Sequence, residues 1–203
     1  MNMIVKMVTG VMGAGKSEQL IEDVRFYVEK KMNVAVVKVS PGKHKRRGAV
    51  TSRNGKSVLC LNLSTEQTEA EVLASLSFYI KEMGNADYIF IDEAQFLNAE
   101  QINAVETVAR LFDCHITFYG LMNDFRGKIF DGSDRITTIC DDVFVIPAEC
   151  EIDGCERDAV HNGRFVDGQI VIEGKRIVED KECYKALCPM CFNVEKRKIL
   201  ESK

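Results

Sequence analysis

Residues 10–17 read Gly-Val-Met-Gly-Ala-Gly-Lys-Ser, and few backbone paths suit such a run. Gly10, Gly13 and Gly15 let the chain curl so that successive backbone N–H groups point inward at an anion. Before it, Ile4-Val5-Lys6-Met7-Val8 predicts a buried strand; after it, Lys16 to Lys31 predicts a helix. That order sets the turn at a helix N-terminus, where the macrodipole favours negative charge. Gly10, Gly13, Ala14, Gly15, Lys16 and Ser17 are therefore expected to hold the phosphates of a nucleotide such as ATP. Lys16 would reach the β- and γ-phosphates, and the Ser17 hydroxyl would hold Mg²⁺.

Strand-like and helix-like runs alternate through the first 147 residues. Val34–Val39 predicts a second strand and Val58–Leu61 a short third. Ser64-Thr65-Glu66-Gln67 has the form of a capping box, with Val72, Leu73, Leu76 and Ile80 at helical spacing before a stop at Gly84. Tyr88–Ile91 predicts another buried strand. Asn98 with Gln101 caps the next helix, whose stripe is Ile102, Val105, Val108, Ala109 and Phe112. His115–Tyr119 and Val143–Ile146 complete the strands. Strands separated by helices imply an α/β fold, a mostly parallel sheet with helices on both faces and the site at the strands' carboxyl ends. After Pro147 turn residues multiply and helical periodicity fades, with a hairpin expected around Asp167-Gly168. The division expected is residues 1–147 as a nucleotide-binding domain and 148–203 as a smaller unit.

The net charge of −4 and pI near 5.5 argue against a nucleic-acid partner. Lys43-His44-Lys45-Arg46-Arg47 is the dense basic run; it reads mostly as a solvated loop, near enough to the second strand to steer a nucleotide. No apolar stretch approaches the ~18 residues of a membrane helix. No signal-peptide pattern opens the chain, so a cytoplasmic location is expected.

Asp92-Glu93 directly follows the Tyr88–Ile91 strand. There one carboxylate can serve Mg²⁺ through its water shell, facing Ser17, while its neighbour points elsewhere and is free for proton transfer. Asp92 is the expected metal-side acid and Glu93 the expected base. Cys60, Cys114 and Cys140 are scattered as buried thiols would be. Cys150, Cys155, Cys188 and Cys191 form two close pairs, and four thiolates satisfy a tetrahedral, closed and therefore structural Zn²⁺ site. Cys183 is off that spacing.

The phosphate loop, Asp92-Glu93-Ala94-Gln95-Phe96, the run Tyr119-Gly120-Leu121 with Asp124-Phe125-Arg126-Gly127, and the terminal cysteine pairs stand in one order. That combination, spanning nearly the whole chain, resembles the type II thymidine kinases, the family that includes the cytosolic human enzyme. The resemblance implies ATP-dependent phosphorylation of the thymidine 5′-hydroxyl to dTMP, a P-loop domain, a zinc-held lasso over the nucleoside, and a homotetramer. By position, Glu93 matches the catalytic base. Met12, Phe96, Leu121, Phe125 and Phe130 match the walls of the nucleoside pocket, and Gln95 the pocket glutamine. Asn162 stands where the family has a threonine near the base, and Tyr184 matches the lasso tyrosine. The family's Asp-x-Arg pair after the second strand is absent, leaving Arg46 or Arg47 to supply the arginine, and Glu179-Asp180 or a longer lasso replaces a diglycine. Other readings are a kinase for another pyrimidine deoxynucleoside and a non-catalytic P-loop regulator.

Overall fold

The structure, a computed structural model, describes residues 3–42, 46–174 and 184–201. Lys43, His44 and Lys45 of the basic run, Glu179-Asp180 and Cys183 lie outside them. The first unit comprises β1 (Val5–Thr9), α1 (Lys16–Glu29), β2 (Val34–Ser40), β3 (Arg47–Thr51), β4 (Ser57–Ser64) and α2 (Glu69–Glu82). It continues with β5 (Tyr88–Asp92), a 3₁₀ turn (Ala94–Phe96), α3 (Ala99–Phe112), β6 (His115–Gly120), α4 (Asp131–Ile139) and β7 (Asp142–Val145).

Among the described residues these strands form one sheet of order β3-β4-β2-β5-β6-β1-β7. Every pairing is parallel except β3 with β4. Alternation along the strands divides their side chains between two faces. Ile89 and Ile91 of β5 pack with Val72, Leu76 and Ile80 of α2 and Ile102, Val105 and Val108 of α3. Phe90, between them, packs on the other face with Leu20, Ile21 and Val24 of α1. Full burial of each such side chain contributes about 1.5–3 kcal/mol, so both helix layers are held by the same strands. The expected α/β sheet with helices on both faces is the fold observed.

Several local expectations need correction. The strand over Val58–Leu61 is the inner half of an antiparallel hairpin, and its partner β3 lacks a legible apolar pattern because Val50 is its one fully buried residue. The capping box of α2 is Thr68 with Glu71, one turn beyond Ser64. Gln67 does bind the Ser64 backbone N–H, at 2.8 Å, but that closes a turn ahead of the helix. Asn98 and Gln101 form the box expected for α3. β7 is an edge strand with Val143, Phe144 and Val145 exposed rather than buried. α4 was not expected at all.

Beyond Pro147, β8 (His161–Val166), β9 (Gln169–Ile170) and β10 (Tyr184–Leu187) form a small antiparallel sheet. The β8–β9 turn at Asp167-Gly168 has φ of 50° and 77°, the positive pair that a two-residue hairpin requires. Contrary to the expected loss of helix, α5 (Pro189–Glu201) follows Cys188, with Pro189 in the first position where its missing N–H costs nothing. Phe192 of α5 packs with Cys150, Ile170, Leu187 and Cys188. This part is joined to the P-loop by Val11, Ala159 and Ala186 in apolar contact, and by the Met12 N–H donating to Asn162 Oδ1 at 2.6 Å.

Candidate active site

The parallel order brings the carboxyl ends of β1, β6 and β5 side by side, and each end delivers part of one cavity of about 440 Å³. After β1, Gly13 and Gly15 take φ of 83° and 94°, the left-handed geometry that turns the loop into α1. Lys16 Nζ arches back to donate to the Gly10 and Val11 carbonyls at 3.0 and 2.9 Å. Gly10 and Ala14 thus shape the loop, whereas Gly13, Gly15, Lys16 and Ser17 line the cavity. Burial pushes the Lys16 ammonium down to about 8, with Glu93 and Asp92 opposing the shift and Arg53 adding to it.

Ser17 Oγ donates to Asp92 Oδ2 at 3.1 Å and Oδ1 at 3.3 Å, joining the phosphate loop to the end of β5. Burial, and then the neighbouring Glu93 charge, push the Asp92 carboxyl up to about 6, while Lys38 and Ser17 pull it down. Lys38 is register partner to Asp92 on the adjacent strand. Hydroxyl and carboxylate together make a pair of hard oxygen donors of the kind Mg²⁺ uses.

Glu93 leaves the strand in the left-handed region, φ 56° and ψ 34°. For a residue with a Cβ that conformation costs roughly 1–2 kcal/mol, and it swings Glu93 out of the sheet to line the cavity beside Asp92. Gln95 then fixes it: Gln95 Nε2 donates to Glu93 Oε2 at 2.7 Å, and Gln95 Oε1 accepts from the Leu121 backbone N–H at 3.0 Å. Gly120 is required here, because a Cβ on it would meet Gln95 Oε1 at 2.5 Å. Gln95, expected as a pocket residue, lines the cavity but also orients Glu93.

The rest of the lining mixes apolar and aromatic side chains with polar and charged ones. Met12, Phe96, Leu121, Phe125, Phe130 and Tyr184 all border the cavity, with Asn162. Phe96 and Phe130 meet edge to face at 6.0 Å. The Arg164 guanidinium lies 5.7 Å from the centre of the Phe125 ring. Asp124, buried, accepts from Arg126 Nε at 2.9 Å and from the Arg126 and Lys128 backbone N–H groups, which fixes the loop carrying Phe125.

Away from the cavity, one sulfur from each of Cys150, Cys155, Cys188 and Cys191 lies within 4.8 Å of the others. Zn–S bonds of about 2.3 Å on a tetrahedron put sulfurs about 3.8 Å apart. Cys155 and Cys188 Sγ are 3.8 Å apart. Backbone N–H groups of Cys188 and Cys191 point at the Cys150 and Cys188 sulfurs, the donor pattern that stabilises thiolates. The cluster therefore fits a zinc ion.

A family model described as Thymidine kinase matches residues 3–192. The chain belongs to the thymidine kinase family. It is 36% identical over 182 residues to the thymidine kinase of Bacillus subtilis subsp. natto, covering 89% of this chain and 91% of that one. The thymidine kinase of Enterobacteria phage T4 is 31% identical over 195 residues, covering 93% of this chain and 94% of its own. The thymidine kinase of Encephalitozoon cuniculi is 27% identical over 191 residues, with 91% and 84% covered.

For an enzyme of this family, sequence reasoning overlooked four charged side chains on the cavity: Glu18, Lys38, Arg53 and Asp124. Lys38 had a usable signal, a lone charge within the apolar run of β2. Asp124 stood in the quoted Asp-Phe-Arg-Gly run without a role. Arg53 had none, since only the β3–β4 hairpin brings it near the loop. Arg46 and Arg47, the expected arginines, instead pair with Glu82 at 3.3 and 3.1 Å and lie over Phe78 and Tyr79. Neither borders the cavity.

Proposed function

We propose that this chain transfers the γ-phosphoryl group of ATP to the 5′-hydroxyl of thymidine, with Glu93 as the base. The observation that carries this is the convergence of Lys16, Ser17–Asp92 and a Gln95-held Glu93 on one cavity that also carries the aromatic rings of Phe96, Phe125, Phe130 and Tyr184. The phosphate loop takes the triphosphate, Lys16 countering charge on the β- and γ-phosphates. Met12, Phe96, Leu121, Phe125, Phe130, Asn162 and Tyr184 surround the nucleoside. As the 5′-oxygen bonds to the γ-phosphorus, its proton passes to Glu93, and the bond to the β-phosphate oxygen breaks to release ADP. Ser17 and Asp92 would hold Mg²⁺, which neutralises charge on the phosphates.

The same reading makes residues from 148 onward a separate zinc-stapled unit, with Cys150, Cys155, Cys188 and Cys191 holding a structural ion that stiffens the segment bearing Asn162 and Tyr184. Its supports are the small apolar cluster around Cys150 and Phe192 and the sulfur spacing. A homotetramer in the cytoplasm follows from the resemblance; among the described residues no helix is long and apolar enough to cross a membrane.

Product analysis with ATP and a panel of thymidine, deoxyuridine, deoxycytidine and purine deoxynucleosides tests the assignment. Thymidine is expected to give dTMP fastest. A preference for another nucleoside would move the substrate, and no product from any would remove the kinase reading.

A further inference from the structure

The β3–β4 hairpin reaches back across the sheet edge, and its tip is fastened to α1. Lys56 Nζ pairs with Glu18 at 3.1 Å and Glu22 at 3.2 Å, and Asn54 also bonds Glu18. The Ser52 N–H donates to the Lys56 carbonyl at 2.9 Å, closing the turn around Arg53. This clamp brings the Arg53 guanidinium onto the phosphate loop: both Nη atoms lie 3.1 Å from where a Cβ on Gly13 would stand. Arg53 borders the same cavity as Lys16 and Glu93.

No ion pair joins Arg53 to a carboxylate among the described residues, as is also the case for Arg25, Arg157, Arg164 and Arg197. It lies close enough to another cation that its charge adds to the lowering of Lys16, and it also borders a shallow recess with Glu149 and Glu151. Two cations held together over a phosphate loop repel until an anion enters between them. A guanidinium offers a planar fork that grips two phosphate oxygens at once. In phosphoryl transfer, charge spreads over the equatorial oxygens of the moving group, and a cation aimed there stabilises the transition state more than the bound nucleotide.

We propose that Arg53 is a catalytic residue supplied in cis by the β3–β4 turn, where it contacts the transferring γ-phosphoryl group of the nucleoside triphosphate. The inference rests on the kinase reading above. The test compares wild type, Arg53→Ala, Arg53→Lys and Lys56→Met. Three readouts are taken: dTMP formation, calorimetric affinity for ADP, and calorimetric affinity for ADP with aluminium fluoride, a mimic of the moving phosphoryl group.

For Arg53→Ala, kcat is expected to fall at least about 100-fold while ADP affinity stays within about threefold and affinity for the fluoroaluminate complex drops at least about 10-fold. Added guanidinium ion should restore part of the rate, and Arg53→Lys should recover little because an ammonium lacks the fork. Lys56→Met, which loosens the clamp, should lose kcat in the same direction but less. A kcat for Arg53→Ala within threefold of wild type, or a loss confined to ADP affinity, would overturn the proposal. Should wild type itself make no dTMP, the kinase reading fails, while the fluoroaluminate comparison still decides whether Arg53 reads the phosphoryl position.

Discussion

Replacing Gln95 with leucine tests how Glu93 is held. Leucine keeps the bulk of the side chain but loses both polar contacts, the 2.7 Å bond to Glu93 Oε2 and the 3.0 Å bond from the Leu121 N–H. Gln95 is only 2% exposed, so water does not readily replace either. A bond to a carboxylate is worth about 1.5–3 kcal/mol and a stranded buried N–H costs about 1–3 kcal/mol. The Glu93 carboxylate still reaches the cavity's solvent, which recovers part of the first; a net loss of about 2–4 kcal/mol follows. In a protein of this size that is a drop in melting temperature of roughly 4–16 °C. Catalysis should suffer through geometry: a base displaced by about 1 Å costs on the order of 10²-fold. Steady-state kinetics of dTMP formation are therefore expected to show kcat lowered about 100-fold and thymidine KM raised less than that. If kcat stays within threefold of wild type while KM carries the effect, Gln95 is a nucleoside contact alone and the orienting role is wrong.

Elemental analysis of protein purified without chelator should find about one zinc per chain. Cys188→Ser should abolish it and raise the thymidine KM, with ADP affinity retained. Asp92→Asn should stabilise the ligand-free protein near pH 7 by up to roughly 3 kcal/mol, because a carboxyl raised to about 6 from 3.8 is held ionised at a cost. The native state binds the extra proton between those values, so wild-type stability from this group falls as pH rises from 4 to 6, and the advantage of the variant in urea melts should vanish near pH 4. Equal wild-type and variant stabilities at pH 7 would contradict the burial cost assigned to Asp92.

Short-range patterns were legible in the sequence. The phosphate loop, the Asp92-Glu93 strand end and the cysteine pairs each need particular residue types at short spacing, so they stand out wherever the chain goes. The buried strands were legible too, because β2, β5 and β6 are covered on both faces and read as continuous apolar runs. Elements with one thin contact were not. In β3 only Val50 is fully buried, and in α5 only Phe192. In α4 the helix is seated by Gly132, whose missing Cβ lets it approach the carbonyls of Leu97, Gln95 and Ala94, a reason no periodicity expresses. Ser64-x-x-Gln67 and Thr68-x-x-Glu71 are equally good caps as text; only the packing of Val72, Leu76 and Ile80 selects the second. Gln95 and Arg53 show the same limit at the site. Their roles depend on partners 26 residues away at Leu121 for one and on a hairpin folding back to Gly13 for the other.

In the proposed mechanism Glu93 takes the proton of the acceptor hydroxyl. Its most direct measurement is single-turnover dTMP formation by Glu93→Gln against wild type, with ADP affinity and melting temperature taken on the same samples. A rate lowered about 10²–10⁴-fold is expected, with nucleotide binding and fold unchanged. A Glu93→Gln enzyme that turns over within threefold of wild type would contradict it.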